Sequence, residues 1–556
     1  MRCKTCSSEI SLPQHPLGSK EYILKSLREG VLSSSNIPDI RKNILDAQNI
    51  LKVYDKEIRR LMSMAGHLRE HIEETSFLLS PIRRLPDEIL AEIFKNSMPS
   101  GTVFSCTKQT PPSPSFLTVC VRWRTVALSI PSIWQSITLD FGGISHMHSH
   151  QNLEVLDHHL SKLSISCPLN IDIYCGRLKS SCTEIFSAHI DSLIKRSSRW
   201  MSLSLTGPWS LTERLNTIEN FPSLRELHLS ISIPSSAISS VLKKSPGLTY
   251  LSIASLPDET GPFVALSNIT HLELMCSQDP TVFDVLDMCP KLISVVFYLQ
   301  HHHHHISDEK VAALCSHPPR HIPSIKDITI QVEEMFDEGR DYYLLPSLLS
   351  SLRLPSLISL TLDSALDIKP FVRQDIFEAL GDFFKKSCAL TSLTLDRLQI
   401  NDEDTVSLLQ LVPSLTKLTI SERTSNNVFH ADAQFIPIIS RRFLRCLNSY
   451  DLGHAARTTL TARRPLLPKL KHLSLTVLGE TFLKDQDLLE LFVSVVSSRW
   501  FPQHDLEQDY GVECLKYVKL CVVEGRVDRS IWDQLKCLDR MIVILEDEEE
   551  PHKMDG

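Results

Sequence analysis

The chain has 556 residues, 42% of them apolar and 22% charged, with a formal net charge of -8. Such a composition belongs to folded globular proteins and excludes a mostly disordered chain. The acidic balance excludes a global basic field, so neither nucleic acid nor a membrane surface is an expected partner. No stretch approaches the ~20 apolar residues of a spanning helix, and the first residues lack the pattern of a secretory signal. The 15 cysteines fall at irregular intervals. That pattern fits reduced, buried thiols and a cytoplasmic or nuclear protein.

Residues 1–36 read as a partly disordered segment. Cys3 and Cys6 form a C-x-x-C pair near His15, but no second pair follows at finger spacing, so no metal site is expected. A helix is predicted over about 38–79, where Ile40, Ile44, Ala47, Leu51, Tyr54, Ile58, Leu61, Ala65, Leu68 and Ile72 alternate steps of four and three. Those are a and d positions over more than four heptads, which predicts a coiled coil over 37–80 and homo-oligomerisation. The competing reading is a helix lying along its own C-terminal domain.

Pro81 breaks that pattern, and a new helix starts at Leu85-Pro86-Asp87-Glu88, with proline near the first helical position and acids in the first turn. Its apolar face is Leu85, Ile89, Leu90, Ile93 and Phe94. A loop is expected over 98–115. Helical spacing returns over 116–128, with Phe116, Val119, Cys120, Trp123 and Ala127 on one side, and a last turn covers 131–134.

Beyond this point a Pro-x-Leu-x-x-Leu-x-Leu string recurs. It reads Pro222, Leu224, Leu227, Leu229, then Pro246, Leu248, Leu251, Ile253, then Ile269, Leu272, Leu274 and Pro290, Leu292, Val295, Phe297. Further copies lie at Ile325, Ile328, Ile330; Leu357, Leu360, Leu362; Leu390, Leu393, Leu395; Leu415, Leu418, Ile420; and Leu470, Leu473, Leu475. Leu515, Val518, Leu520 closes the series, and Trp200, Leu203, Leu205 is a candidate opening. The last two apolar residues of each copy flank one polar position, the alternation of a strand buried on one face. Helix-period segments at 373–386 and 484–498 lie between copies. The predicted fold class is therefore α/β: a long helix, a small all-α segment over 81–140, and a solenoid of parallel strands and outer helices over 141–545, ending in an acidic tail at 546–556. A Rossmann-like layered domain is the alternative, but no Gly-rich strand-to-helix turn supports it.

The string Leu85-Pro86-x-Glu88-Ile89-Leu90-x-x-Ile93-Phe94, then Val119-Cys120-x-x-Trp123, Leu128, Pro131 and Trp134, resembles the F-box. That module docks the adaptor subunit of SCF-type cullin–RING ubiquitin ligases. The match covers about 83–139 and departs from the usual pattern in the long 98–115 loop, which lacks the Leu and Asp residues usual there. The repeats behind it look like the substrate-binding half of F-box proteins with leucine-rich repeats. The resemblance implies that Leu85, Pro86, Ile89, Leu90, Ile93, Phe94, Val119, Cys120, Trp123 and Trp134 bind the adaptor, and through it a cullin, while the repeats hold a target protein. A repeat scaffold that self-associates and assembles no ligase is the alternative.

If the repeat leucines point inward, the residues between them point out in two rows on the concave face. Glu226, Tyr250, His271, Lys417, His472 and Tyr517 lie in one, and His228, Glu273 and Lys519 in the other. These are the expected target contacts, with Tyr250 and Tyr517 as anchors. The basic insert carrying Arg441, Arg442, Arg445, Arg457, Arg463 and Arg464 is the rival recognition element. The histidine run 301–305 reads as a polar loop. Cys120 has no histidine placed to activate it, and no P-loop, G-x-S-x-G, H-E-x-x-H or RING-like ligand series occurs. The chain is accordingly expected to have no cofactor and no enzymatic activity of its own.

Overall fold

The computed structural model describes residues 20–30, 37–97, 102–105, 115–141, most of 156–175, 183–207, 214–230, 235–253, 264–276, 281–300, 319–333, 344–364, 374–422 except 388 and 399, 437–449, 466–500 except 484, 512–523 and 542–548. The chain divides into two compact units, Met1–Phe94 and Lys95–Gly556.

In the first unit the 42-residue helix Ile37–Leu78 matches the span read from the four-three spacing. At 1.5 Å per residue it is roughly 63 Å long. None of its residues is buried. The apolar seam, from Ile44 at 51% exposure to Ile72 at 66%, faces solvent.

The second unit is built on a parallel sheet that takes its strands in chain order. They are β1 (Thr102–Ser105), β2 (Ser136–Asp140), β3 (Leu169–Tyr174), β4 (Trp200–Thr206), β5 (Glu226–Ser230), β6 (Tyr250–Ile253), β7 (His271–Cys276), β8 (Ser294–Gln300), β10 (Asp327–Glu333), β12 (Ser359–Ser364), β13 (Ser392–Asp396), β14 (Lys417–Ser421), β15 (His472–Leu478), β16 (Tyr517–Val523) and β17 (Ile542–Glu548). Two further short strands, β9 (Arg320–His321) and β11 (Leu352–Arg353), pair with each other beside it. A doubly wound domain would reverse strand order at a switch point. Here the order never reverses among the described strands, so the Rossmann-like alternative is excluded.

The register shows why the sequence repeats. Leu227, Leu251, Leu272, Val295, Ile328, Leu360, Leu393, Leu418, Leu473 and Val518 are successive partners across the sheet. Each is at most 2% exposed, and all contribute to one continuous core. The residue after the first apolar position of each copy links neighbouring coils. Thr270 Oγ1 donates to the Thr249 carbonyl at 3.1 Å, and Thr416 Oγ1 to that of Thr391 at 3.1 Å. Each coil thus covers the apolar edge and the open hydrogen bonds of the one before, the energetic basis of a one-dimensional stack. The helices Gln374–Lys386 and Gln486–Ser498 lie within the segments read as helical.

Three features differ from the sequence reading. The sheet starts three strands before Trp200, and β1 arises inside the expected 98–115 loop, pairing with β2. Their strings lack the Pro-Leu signature, but Ile137, Leu139, Ile171 and Ile173 alternate and are buried. At the other end β17 follows the Leu515 copy and runs to Glu548, three residues into the acidic run assigned to the tail. Finally, the helix expected over 116–128 is two, Phe116–Val119 and Val121–Leu128, broken where Cys120 is extended at φ -163°. Its Sγ accepts from the Trp123 backbone N–H at 3.5 Å, so Cys120 is an N-cap and not a face residue.

Candidate protein-interaction surfaces

The F-box-like string sorts into inward and outward residues. In the first unit Leu90 and Phe94 are buried, whereas Ile89 is 48% and Ile93 40% exposed, Pro86 is exposed and Leu85 half-buried. This is the helical spacing at work: 90 and 94 share one face, 89 and 93 its neighbour. In the second unit Trp134 is buried and its indole Nε1 donates to the Ala127 carbonyl at 2.8 Å. Val119 and Leu128 are exposed, and Cys120 and Trp123 half-buried. Leu90, Phe94 and Trp134 are thus withdrawn from solvent, unlike the other positions of the string. Val121, at 74% exposure, was overlooked in the sequence because the unbroken helix expected there hid its position.

On the second unit the polar positions between the repeat leucines align as two continuous rows. Glu226, Tyr250, His271, Ser294, Asp327, Ser359, Ser392, Lys417, His472 and Tyr517 are successive partners in one. His228, Ser252, Glu273, Val296, Thr329, Thr361, Thr394, Thr419, Ser474 and Lys519 are successive partners in the other. All of these are exposed or half-buried while their neighbours are buried. Rings cluster at both ends. The His228 and Tyr250 centroids are 4.6 Å apart, Tyr250 and His271 6.3 Å apart at 20°, and His472 and Tyr517 5.9 Å apart. Adjacent coils bring these rings together, which no local sequence window displays. Burial, then a hydrogen bond from its hydroxyl to Glu273, then the nearby charges push the Tyr250 phenol well above its ordinary range. It remains a neutral donor at any physiological pH.

The sheet register extends the face upstream, adding Asn170 and Asp172 of β3 and Ser202 and Ser204 of β4 to the rows. A third polar row carries Gln331 and Asp396, both half-buried, and the buried Asp363 between them. There Asp363 accepts from Gln331 Nε2 at 3.1 Å and Arg397 Nη2 at 2.7 Å.

The rival basic insert is largely neutralised where it is described. Arg441 and Arg442 lie on a helix, Arg441–Leu447. Arg441 pairs with Asp485 at 2.6 Å and Asp487 at 2.8 Å, and Arg442 with Glu403 at 3.0 Å. These contacts raise both guanidinium pKa values above the usual range, the Asp485 and Glu403 hydrogen bonds first among the causes. Arg445 is exposed, and Arg457, Arg463 and Arg464 lie outside the described residues, as do Cys3, Cys6, His15 and the 301–305 run. Among the described residues no His, Cys, Asp and Glu group has metal-binding geometry, and no helix is long and apolar enough to cross a membrane.

In-order parallel strands, a buried Leu ladder and helices in the returning segments decide the fold. It is a leucine-rich-repeat solenoid. No family model matches the chain, and no curated protein matches it. Among solved structures it is similar to TLR13 in a TLR13–ssRNA13 complex, at 12% identity over 74% of this chain and 49% of that one, with a TM-score of 0.31. The chain thus spans about half the length of that protein. At that score the overlap supports nothing beyond what the strand register already establishes.

Proposed function

We propose that this protein is the substrate-recognition subunit of an SCF-type cullin–RING ubiquitin ligase. The F-box-like segment docks the adaptor and thereby a cullin, the strand face holds a target protein, and other subunits transfer ubiquitin to a target held nearby. The supporting observation is that Pro86, Ile89 and Ile93, which the F-box resemblance assigns to adaptor contact, face solvent while Leu90 and Phe94 anchor the same helix. Apolar side chains left in water at assigned contact positions are what a docking surface requires. The test is co-purification of the tagged full chain with adaptor and cullin. Ile89→Asp with Ile93→Asp is expected to reduce adaptor capture at least about tenfold and to leave the melting temperature unchanged, since neither residue is in the core. Capture equal to wild type would overturn the docking role.

A second reading, a self-associating repeat scaffold, is favoured by one observation: no residue of the helix Ile37–Leu78 is buried. Ile44, Ile58 and Ile72 occupy a positions, and Leu61 and Leu68 occupy d, a distribution that favours parallel two-stranded coiled coils. The full chain is expected to have the mass of a dimer by light scattering, and Leu61→Asp with Leu68→Asp that of a monomer. A wild-type monomer at tens of micromolar would remove the coiled coil from either reading.

A further inference from the structure

The strand face is sorted by charge along the stack. From β2 to β13 its described outward strand positions carry Asp140, Asp172, Glu226, Glu273, Asp327 and Asp396 and no Lys or Arg, whereas Asp363 is buried and paired with Arg397, just past β13. Within the strands themselves, outward cations are found only later, at Lys417 of β14 and Lys519 of β16. Four of the acids are also regularly placed. Asp172, Glu226, Glu273 and Asp327 stand on β3, β5, β7 and β10, every second strand of the sheet, and alternate between the two rows. With strands ~4.8 Å apart, successive acids are roughly 10 Å apart along the stack, first on one side of the midline and then on the other.

Within that arc the half-buried Tyr250 ring lies between the His228 and His271 rings, its hydroxyl tied to Glu273 and its strand neighbour in the same row being Glu226. Carboxylates on either side of an aromatic ring complement a guanidinium or ammonium. Such a group gains Coulomb attraction from the acids and cation–π attraction from the ring face. An extended chain advances ~3.3 Å per residue and points successive side chains to opposite sides, so its residues i and i+3 are roughly 10 Å apart and on opposite sides. That is the spacing and alternation of the four acids.

We propose that the strand face between β3 and β10 binds an extended basic segment of the target protein, with Lys or Arg at every third position. The inference deepens the target-holding half of the proposed function and is independent of the adaptor half.

The probe is a fluorescein-labelled dodecapeptide of four Arg-Ser-Ser repeats, titrated into the full chain by fluorescence anisotropy. Controls are a peptide with the same four arginines in one block and one with Glu in place of Arg. The repeat peptide is expected to bind at least about fivefold tighter than the block peptide, and the Glu peptide not at all. Glu226→Gln with Glu273→Gln should weaken binding about tenfold, and Tyr250→Ala about fivefold, with Tyr250→Phe losing less because it keeps the ring. Glu378→Gln with Glu490→Gln, the same loss of charge on the helices, should change nothing. No binding of the repeat peptide, or equal weakening by the two double variants, overturns the proposal, and equal affinity for the block peptide overturns its spacing. Adaptor capture is measured on the same variants. Its failure with peptide binding intact would remove the ligase reading and leave this one standing.

Discussion

Replacing Arg499 by Met is expected to destabilise the C-terminal coils by about 3–5 kcal/mol, because three backbone carbonyls lose their buried charged donor. Arg499 is fully buried just after the helix Gln486–Ser498. Its guanidinium is shared among backbone carbonyls: Nε donates to Leu447 at 2.7 Å, Nη1 to Leu467 at 2.9 Å and Nη2 to Leu466. Leu447 ends the helix Arg441–Leu447, whose last carbonyls have no partner within the helix. Leu467, at φ 51°, belongs to the turn that leads into β15. The Arg499 carbonyl in turn accepts from the Leu515 N–H at 2.9 Å, just before β16. One side chain therefore joins three segments that local sequence does not connect. Burial lowers its pKa to about 10, which still leaves it protonated at neutral pH. Methionine fills similar volume but leaves those carbonyls dry, at ~1–3 kcal/mol each before relaxation. Because a solenoid unfolds coil by coil, the loss should be local. Hydrogen exchange should accelerate over 441–447 and in β15 and β16 while β5 to β8 stay protected. Unchanged exchange in both regions would refute the role.

What the sequence made legible follows from how far each signal reaches along the chain. The leucine ladder and the two outward rows were readable because strand alternation is local, and the same step from Leu227 to Leu229 holds at each later copy. The long helix was readable for the same reason, its four-three spacing being unbroken from Ile40 to Ile72. The F-box-like string was half readable. Composition marks Leu90, Phe94 and Trp134 as apolar but does not tell which apolar residues of the string the fold buries. Strands β1 to β3 were missed because Ile137, Leu139, Ile171 and Ile173 alternate without the proline and first leucine that flag the other copies. The ring cluster at Tyr250, the every-second-strand acids and the pairing of Arg441 and Arg442 depend on contacts between coils. Their partners lie two to four dozen positions away, and no window reveals them. Arg499 and Glu422 are the extreme cases, charged residues that hydropathy assigns to the surface and the fold places in the interior.

Glu422 gives the fold a pH dependence of predictable sign. It follows β14 directly and is buried, with its carboxylate accepting from the Ile439 backbone N–H at 2.6 Å. Its own backbone N–H donates to the Thr476 carbonyl at 2.9 Å, tying it to the next strand. Burial raises its pKa from 4.5 to about 7, against the opposing pull of the Ile439 and Ile438 backbone donors. For an acid whose folded pKa lies above its unfolded one, the protonated form is the one the fold prefers. Its contribution is complete below the unfolded value near 4.5 and is lost as the pH rises through about 7. At 1.36 kcal/mol per pKa unit, the fold is expected to lose on the order of 3 kcal/mol between pH 5 and pH 8 from this group. Glu422→Gln keeps an oxygen acceptor for the Ile439 N–H and removes the ionisation. It should therefore match the wild type near pH 5, exceed it at pH 8, and flatten the dependence between them. Urea melts of both proteins at pH 5, 6, 7 and 8 decide the matter. Parallel pH profiles would mean that water reaches the carboxylate and that its burial does not govern its charge.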